Sequence, residues 1–357
     1  MLPSWGDQCG YTFSCAGGLF LLALLAFLGP LADKRIAARL EWFLLALGAA
    51  ACTFSMAWSE ALLAEALLRP LKVCSAILSG ALVFSFIHDW VRARVRAASA
   101  SLGPAAAVAA AVLVACAASL LLTAPVAGLI LVEILEAMRL KAGARTHAAV
   151  LGCLAIGLAS TLSPLGGPIP AIAMAKMAQA PYLVDGRYLL ELAAPWALPM
   201  VLGLSVTAGF VFGRPDPKAE KEADDPLTLW NVLVLTGKLY VFIAGLVLLG
   251  GGLLPLVDRA ALGAAPGALF WGNSLAAVAD GATLAAVEIS PRMHQEQLRA
   301  ILLSLPAAGG ALVQGNAHNL LVAQRLRIQP KEWAKAGVPA AAALMACAYF
   351  SLVFAAR

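Results

Sequence analysis

Ala124 to Leu135 reads APVAGLILVEIL, and Ala279 to Ser290 reads ADGATLAAVEIS. Aligned without gaps, these two segments are identical at six of twelve positions. Matches of alanine, leucine and valine arise easily in an apolar protein, but a shared glutamate, Glu133 in one segment and Glu288 in the other, does not. A segment that occurs twice in one chain indicates two structural repeats. We therefore expect the protein to be built from two related halves.

The composition is that of a membrane protein. Of the 357 residues, 62% are hydrophobic and only 13% are charged, and the mean hydropathy is +0.86. We therefore expect an all-α polytopic protein in the cytoplasmic membrane of a bacterium or archaeon. The net charge of +5 fits basic cytoplasmic loops better than nucleic-acid binding. The first residues lack the basic region of a signal peptide, so we expect none to be cleaved.

The seven cysteines are scattered without the spacing of a metal site. Cys9 and Cys15 would be able to form a disulfide if the N-terminus lies outside the cell. Five others lie in apolar runs and are expected to be small core residues: Cys52, Cys74, Cys116, Cys153 and Cys347. The sequence contains no nucleotide-binding loop, haem motif or nucleophile elbow. We therefore expect neither an enzyme nor a bound cofactor.

Apolar stretches long enough to cross a bilayer, about 20 residues each, occur in the same order in both halves. That order is a crossing, a re-entrant hairpin, a broken helix and a second crossing. The predicted ranges are residues 1–70 for extra N-terminal helices, 71–212 for the first repeat (hairpin 104–139, broken helix 147–178), 213–227 for a cytoplasmic linker, and 228–357 for the second repeat (hairpin 263–290, broken helix 297–326).

The basic residues predict the orientation. If each hairpin returns to the side it entered, sixteen Lys and Arg residues fall on one side and seven on the other, with Lys176 and Lys238 inside the membrane. The positive-inside rule makes the richer side cytoplasmic and places both termini outside. Each repeat then crosses the membrane an odd number of times, so the second is inverted relative to the first. Inverted repeats are typical of secondary transporters.

Glycines and prolines interrupt two of the predicted helices, at SPLGGPIP (Ser163 to Pro170) and at GGALVQGNAHN (Gly309 to Asn319). A break inside the bilayer frees backbone groups that lipid cannot satisfy, so it must line protein or a watery cavity. The carbonyl ends attract cations and the amide ends attract anions. A simple kink without a ligand is the alternative at any one break. Two hairpin tips and two broken helices in matched positions favour a binding site.

Asp280 is the strongest candidate for an ion-binding residue, because a carboxylate within the membrane is energetically costly and usually functional. It lies at the predicted tip of the second hairpin, where capping the following helix is its alternative role. Neutral oxygens around the breaks suit a hard cation such as sodium. The predicted ion-binding residues are Asp280, which we also expect to be the metal ligand for sodium, Thr283, Asn273, Thr123, Ser160, Thr161, Ser163, Gln314, Asn316 and Asn319.

The candidates for proton coupling are Asp280, Lys238, His318, Glu133 and Glu288. Lys238 is either a counter-ion for Asp280 or an anion-binding group. His318 is either a proton carrier or a hydrogen-bonded core residue. Both glutamates lie eight residues past their predicted hairpin tips. That places them near the membrane surface, where a structural role is as reasonable as a functional one.

NSLAAVADGATLAAVEISP (Asn273 to Pro291) and LPAAGGALVQGNAHNLLVA (Leu305 to Ala323) resemble the ion transporter superfamily. The resemblance is to its NhaD-type sodium/proton antiporter branch and to uncharacterised relatives among cation transporters, and it covers residues 71–357. It implies two re-entrant hairpins and two unwound helices around the substrate, and a homodimer. TLSPLGGPIPAIAMA (Thr161 to Ala175) resembles the first unwound helix, although the Ser-Asn-Thr signature of the dicarboxylate branch is absent. The tip carries Asp280-Gly281 where that superfamily typically has Asp-Asn, so one expected ligand is missing.

The expected function is antiport of sodium, or another monovalent cation, against protons. The expected partners are the lipid bilayer and small inorganic ions. The alternative is a sodium-coupled symporter of a small anion such as a carboxylate, in which Lys238 binds the anion. A channel or a non-transporting membrane protein is a third class and needs no titrating residue. Only the antiporter requires protons to move at Asp280.

Overall fold

The computed structural model describes residues 13–138, 140–180, 182–213, 229–261, 265–277, 281–291 and 293–355. These residues form fifteen α-helices and two short 3-10 helices, in agreement with the predicted all-α class. By length and composition, four of the helices can cross a membrane: Pro104–Leu121, Tyr188–Phe210, Trp230–Leu254 and Pro330–Phe354. Two shorter apolar helices, Gly17–Ala32 and Leu40–Phe54, precede them. The molecule is thus a helical membrane protein.

Four helices form the N-terminal region: α1 (Phe13–Ala32), α2 (Lys34–Ala38), α3 (Leu40–Phe54) and α4 (Glu60–Leu102). The hydroxyl of Ser59 caps α4 by accepting a hydrogen bond from the Leu62 amide at 3.1 Å. With 43 residues, α4 is about 65 Å long, roughly twice the thickness of the hydrocarbon core.

The course of α4 differs from the sequence prediction in two places. Arg69 and Pro70 lie inside the helix rather than between two crossings, so the boundary predicted at residue 70 falls within α4. The segment from Arg92 to Arg96, whose arginines belong to the side predicted to be cytoplasmic, is part of the helix, which continues to Leu102. Membrane helices tolerate a proline when neighbouring groups satisfy the freed backbone. Neither the proline nor the basic cluster therefore ends this helix.

The first half continues with α5 (Pro104–Leu121) and α6 (Ala124–Ala137), which pack against each other across a two-residue turn. Next come α7 (Ala142–Ser160) and α8 (Pro168–Met177), separated by the non-helical segment 161–167, and then α9 (Tyr188–Phe210). The 14 residues of α6 span about 21 Å, too short for a full crossing. The 18 residues of α5 are long enough to cross. The re-entrant course of this pair therefore stays a prediction.

The second half repeats this order of elements. It contains α10 (Leu229–Ala261), then α11 (Pro266–Gly272), a 3-10 turn (Asn273–Ala277) and α12 (Gly281–Glu288). The remaining elements are α13 (Gln295–Gly309), a 3-10 turn (Val313–Gly315), α14 (Ala317–Arg325) and α15 (Pro330–Ala355).

The contacts between helices also correspond in the two halves. Helix α6 packs against α14, and α12 packs against α8. Both α6 and α12 carry the glutamate of the sequence Val-Glu-Ile that the two similar segments share, called the VEI motif below (residues 132–134 and 287–289). In each case this helix contacts the second part of the interrupted helix from the other half. In the same way, α9 contacts α13 while α15 contacts α7, and α7 and α13 contact each other. The two halves are therefore interleaved.

Helices α6, α7 and α13 form the centre of the bundle. Residues 300–309 of α13 and residues 148–162 around α7 are buried at every position. The N-terminal helices join this body through a close approach of α3 to α10. An added Cβ on Gly48 would lie 2.6 Å from the Gly245 carbonyl oxygen, and one on Gly245 would lie 2.6 Å from the Leu45 nitrogen. Small residues of this kind let two membrane helices pack backbone to backbone.

Candidate functional site

The start of α6 is bound to the first helix break. The Ala124 amide donates a hydrogen bond to the Gly166 carbonyl at 2.9 Å. Gly166 lies so close to the end of α7 that an added Cβ would overlap the Ser160 carbonyl. The residue at this position therefore has to be glycine. The predicted tip of the first hairpin and the SPLGGPIP break thus lie side by side.

The hydroxyl groups at this break bond mostly to nearby backbone. Ser160 and Thr161 are buried, and each donates its hydroxyl proton to a carbonyl of α7 at 2.7 Å. The half-buried Ser163 accepts a hydrogen bond from the Leu165 amide at 3.3 Å. The buried Oγ1 of Thr123 has no hydrogen-bond partner among the described residues. All four oxygens keep lone pairs that a cation can use.

At the second break, protein donors occupy the freed backbone carbonyls. Asn319 donates from Nδ2 to the carbonyls of Gly309 and Leu312, both at 2.9 Å. Trp333 donates from Nε1 to the Gly310 carbonyl at 3.2 Å. Side-chain donors therefore bond to three backbone carbonyls at this break, and each of these carbonyls keeps a second lone pair.

Three buried amide oxygens have no hydrogen-bond partner among the residues that the structure describes: Asn273 Oδ1, Gln314 Oε1 and Asn319 Oδ1. Each of these side chains is at most 1% exposed. The side-chain amide nitrogen of each residue already donates a hydrogen bond. Asn273 donates to Ser304 Oγ at 2.8 Å, Gln314 donates to the Ala26 carbonyl at 3.2 Å, and Asn319 donates to the carbonyls described above. The amide orientations are therefore fixed by their donors, and the oxygens are left as acceptors.

The 3-10 turn that carries Asn273 contacts the 3-10 turn that carries Gln314. A buried acceptor without a donor costs about 1–3 kcal/mol. A group of such oxygens near two helix interruptions therefore points to a ligand. The half-buried Asn316 belongs to the same region, and its buried Nδ2 also has no partner within the described ranges.

His318 is buried and hydrogen-bonded to the backbone of α7. Its Nε2 lies 3.2 Å from the Cys153 carbonyl of α7. Because a carbonyl only accepts, this nitrogen carries the proton. The histidine packs next to Gly128 of α6 and Gly157 of α7. It therefore links the second break to the first half of the molecule.

Asp280 lies outside the described residues, which resume at Gly281. A Cβ on Gly281, the first residue of α12, would lie 3.3 Å from Ile169 Cδ1, just past the first break. Thr283 is buried and accepts a hydrogen bond from Arg69 Nη1 at 3.5 Å. Arg69 also forms an ion pair with Glu65. The start of α12 thus lies near both the first break and an arginine of α4.

Arg69 is one of the seven basic residues on the side predicted to be external, and it is absent from the predicted site residues. A signal was present, because Glu65 and Arg69 are spaced one helical turn apart in an otherwise apolar stretch. Ser304, which accepts from Asn273, and Trp333 were also missed, and neither has a distinctive motif around it.

The remaining candidates lie away from the amide oxygens or are engaged elsewhere. Glu133 is 2% exposed and pairs with Arg325, its Oε1 lying 3.3 Å from Nη2. Glu288 is buried beside Asn273, and its Oε2 lacks a hydrogen-bond partner in the described part of the chain. Lys238 lies on the exposed face of α10. Glu133 is thus engaged in a structural contact, and only Glu288 adjoins the amide group.

A basic residue from the other half anchors each helix that carries the VEI motif. Lys176 donates from Nζ to the carbonyls of Ala286 and Ile289, the latter at 2.6 Å, at the end of α12. Lys176 is the ninth residue of α8, and Arg325, which anchors α6, is the ninth residue of α14. These two contacts occupy corresponding positions in the two halves.

Among the described residues, no group of three or more His, Cys, Asp and Glu side chains is arranged to hold a metal ion. A search of curated proteins finds no match to this chain. A family model described as "Protein of unknown function (DUF1646)" matches residues 16–355. Because that match covers nearly the whole sequence, the protein belongs to the DUF1646 family.

Proposed function

We propose that this protein is a secondary active transporter that exchanges sodium, or another monovalent cation, for protons. The observation that carries the proposal is the group of buried amide oxygens of Asn273, Gln314 and Asn319, which lack donors among the described residues. Oxygen ligands suit hard cations. Their amide nitrogens are fixed by other hydrogen bonds, so the acceptor side of each group is preorganised.

A monovalent cation fits these ligands better than a divalent one. Calcium and magnesium sites depend on carboxylates as ligands, whereas this group supplies neutral oxygens. We propose that Asp280, which precedes α12, supplies a negative charge for the cation. Scarcity of water favours the protonated form of a carboxyl group, and a bound cation favours the ionised form. Proton and cation would therefore exclude each other at Asp280, which is the minimum that an exchanger requires.

The arrangement of helices supports alternating access. The two halves have the same order of elements, and each VEI helix packs on the interrupted helix of the other half. Related halves that meet at broken helices are the usual plan of secondary transporters, with the ion near the bilayer midplane. We propose inverted repeats with re-entrant hairpins at residues 104–139 and 263–290, in the cytoplasmic membrane.

Reconstitution into proteoliposomes that contain a pH-sensitive dye tests this function. A step of external sodium is expected to raise the internal pH of sodium-free vesicles when sodium enters in exchange for protons. An equal step of choline, which is too large for a group of amide oxygens, is the control. Equal responses to the two cations would reject the proposal.

A second candidate, sodium-coupled symport of a small carboxylate, is favoured by Arg69. This guanidinium is mostly buried and reaches Thr283 at the start of α12, where a transported anion would need a positive charge. In this candidate function Arg69 binds the anion, a role that the sequence predicted for Lys238. Lys238 lies on an exposed face of α10. Succinate uptake that requires sodium and disappears in Arg69→Gln but not in Lys238→Gln would favour symport over exchange.

A further inference from the structure

A separate groove lies at the outer side of the bundle, between α7, α9 and α15. Its volume is about 850 Å³, within the usual range for ligand sites of about 300–1,000 Å³. Its walls are formed mainly by apolar residues and prolines such as Pro195, Pro199 and Leu344. None of the site residues discussed above lines it.

One end of this groove is basic. Lys335 lines it and is exposed, and His147 lines it from the start of α7. No carboxylate is among the lining residues, and Glu332, one turn before Lys335, accepts from the Gln329 amide at 3.4 Å. The basic end of the groove is therefore complementary to an anion.

Lys335 lies at the charged end of α15. Lys331, Glu332 and Lys335 are the charged residues of α15, and the following twenty residues of the helix, 336–355, carry no charge. Twenty apolar residues match the hydrocarbon thickness. Ser351, which also lines the groove, lies sixteen residues beyond Lys335, about 24 Å along the helix. The groove thus extends from the charged end of α15 along most of the uncharged part of the helix.

We propose that this groove binds an anionic phospholipid, with the phosphate at Lys335 and an acyl chain between α9 and α15. The apolar walls contact the acyl chain, and the basic end binds the anionic headgroup. Basic pockets between membrane helices on the cytoplasmic side are a recurrent form of anionic lipid site. His147 stacks on Phe212, with ring centroids 4.3 Å apart, which fixes the second polar group at this end.

Two variants test the headgroup and the chain separately. Lys335→Ala is expected to reduce the preference for phosphatidylglycerol over phosphatidylcholine about fivefold, which is the contribution of one basic residue to binding at an anionic lipid surface. Gly203 lines the groove, and an added Cβ there meets nothing within 4 Å. Gly203→Leu is therefore expected to fold normally and to reduce binding of both lipids.

Each variant has a matched control outside the groove. Lys141 is exposed at the start of α7, near the same end of the bundle. Gly237 on α10 is also exposed, with nothing within 4 Å of an added Cβ. Lys141→Ala and Gly237→Leu are expected to bind both lipids like the wild type.

Native mass spectrometry of the full-length protein, titrated with each lipid, gives the readout. The proposal is supported if Lys335→Ala loses the preference for phosphatidylglycerol and Lys141→Ala keeps it. It also requires that Gly203→Leu binds both lipids more weakly and that Gly237→Leu binds them like the wild type. Unchanged lipid binding in these two variants would overturn it. A change in oligomeric mass in Gly203→Leu without a change in lipid binding would also overturn it, in favour of a second copy of the chain in the groove.

Discussion

Arg325 and Glu133 form an ion pair, with Nη2 3.3 Å from Oε1, that joins the end of α14 to α6. The pair is largely buried, since Glu133 is 2% and the Arg325 side chain 12% exposed. The corresponding contact in the other half is made by Lys176, which bonds to backbone carbonyls at the end of α12. The repeated VEI motif therefore marks where each half is anchored by the other.

Removing one partner of this pair is expected to destabilise the protein. Arg325→Ala removes a cation that pairs with the buried carboxylate of Glu133, and breaking a buried pair costs about 3–5 kcal/mol. The double variant Arg325→Leu with Glu133→Leu is expected to recover most of that loss. Thermal unfolding in detergent measures both. The control is Lys331→Ala, which changes an exposed lysine nearby. If Arg325→Ala lowers the unfolding temperature no more than this control does, the ion pair with Glu133 does not stabilise the protein.

Two adjacent glycines provide a matched test of the first break. Gly166→Ala is expected to destabilise the protein by about 1–3 kcal/mol, because overpacking costs this much and the new Cβ would overlap the Ser160 carbonyl. Gly167→Ala places its Cβ in open space and is expected to be neutral. Unfolding temperatures in detergent compare the two. Equal effects would mean that α7 and the start of α6 are not held together at Gly166.

Local sequence signals predict interruptions at two positions where the structure has non-helical residues. The glycines and prolines of SPLGGPIP and of GGALVQGNAHN lie at the breaks after Ser160 and after Gly309. Pro70, at the predicted boundary between the N-terminal helices and the first repeat, lies inside α4, because a helix continues through a proline when the freed backbone groups find partners. Helix ends depend on whether freed backbone groups find partners, and a sequence does not reveal distant partners.

The candidate site was predicted in its residue types but not in its contacts. Counting residues placed Lys238 near the membrane midplane, but an apolar helix does not reveal which of its faces is exposed. The pairing of Asn319 with carbonyls of the break, and of Gln314 with Ala26 of α1, depends on tertiary packing. Arg69 was missed because its partner Thr283 lies 214 residues away in the sequence.

Cysteine labelling tests the predicted topology. Glu220→Cys, in the linker, is expected to resist an impermeant maleimide in intact cells and to react after lysis, because the positive-inside rule places this segment in the cytoplasm. Gly186→Cys, in the exposed turn before α9, is the positive control and is expected to react in intact cells. Both use a background with Cys9, Cys15 and Cys347 replaced by serine. Labelling of residue 220 from outside would reject the orientation.

The amide oxygens are tested by a size-conserving change. Gln314→Met removes the free Oε1 and is expected to weaken sodium binding about tenfold, or 1.4 kcal/mol, and to lower the unfolding temperature by losing the bond to Ala26. Isothermal titration in detergent measures the affinity. Gln179→Met, at an exposed position outside the site, is the control. Lower thermal stability with unchanged sodium affinity would make Gln314 purely structural.

Sodium binding is expected to weaken as the pH falls, because protons and the cation compete for the carboxylate of Asp280. Titrations between pH 8 and pH 5 check the direction for the wild type. In Asp280→Asn, which cannot bind a proton, the residual sodium affinity is expected to be independent of pH over this range. The same pH dependence in both proteins would assign the titrating group to another residue, with Glu288 beside Asn273 as the next candidate.

The most direct test is sodium-driven proton movement by Asp280→Asn in proteoliposomes. This variant keeps the size and hydrogen bonding of the side chain but removes its charge and its proton. We predict a folded protein that does not change the internal pH when external sodium is stepped, whereas Asp280→Glu retains part of the activity with altered ion preference. Asp185→Asn, a change at an exposed aspartate in a loop, should exchange like the wild type. Exchange by Asp280→Asn at the wild-type rate across the pH range would contradict the account.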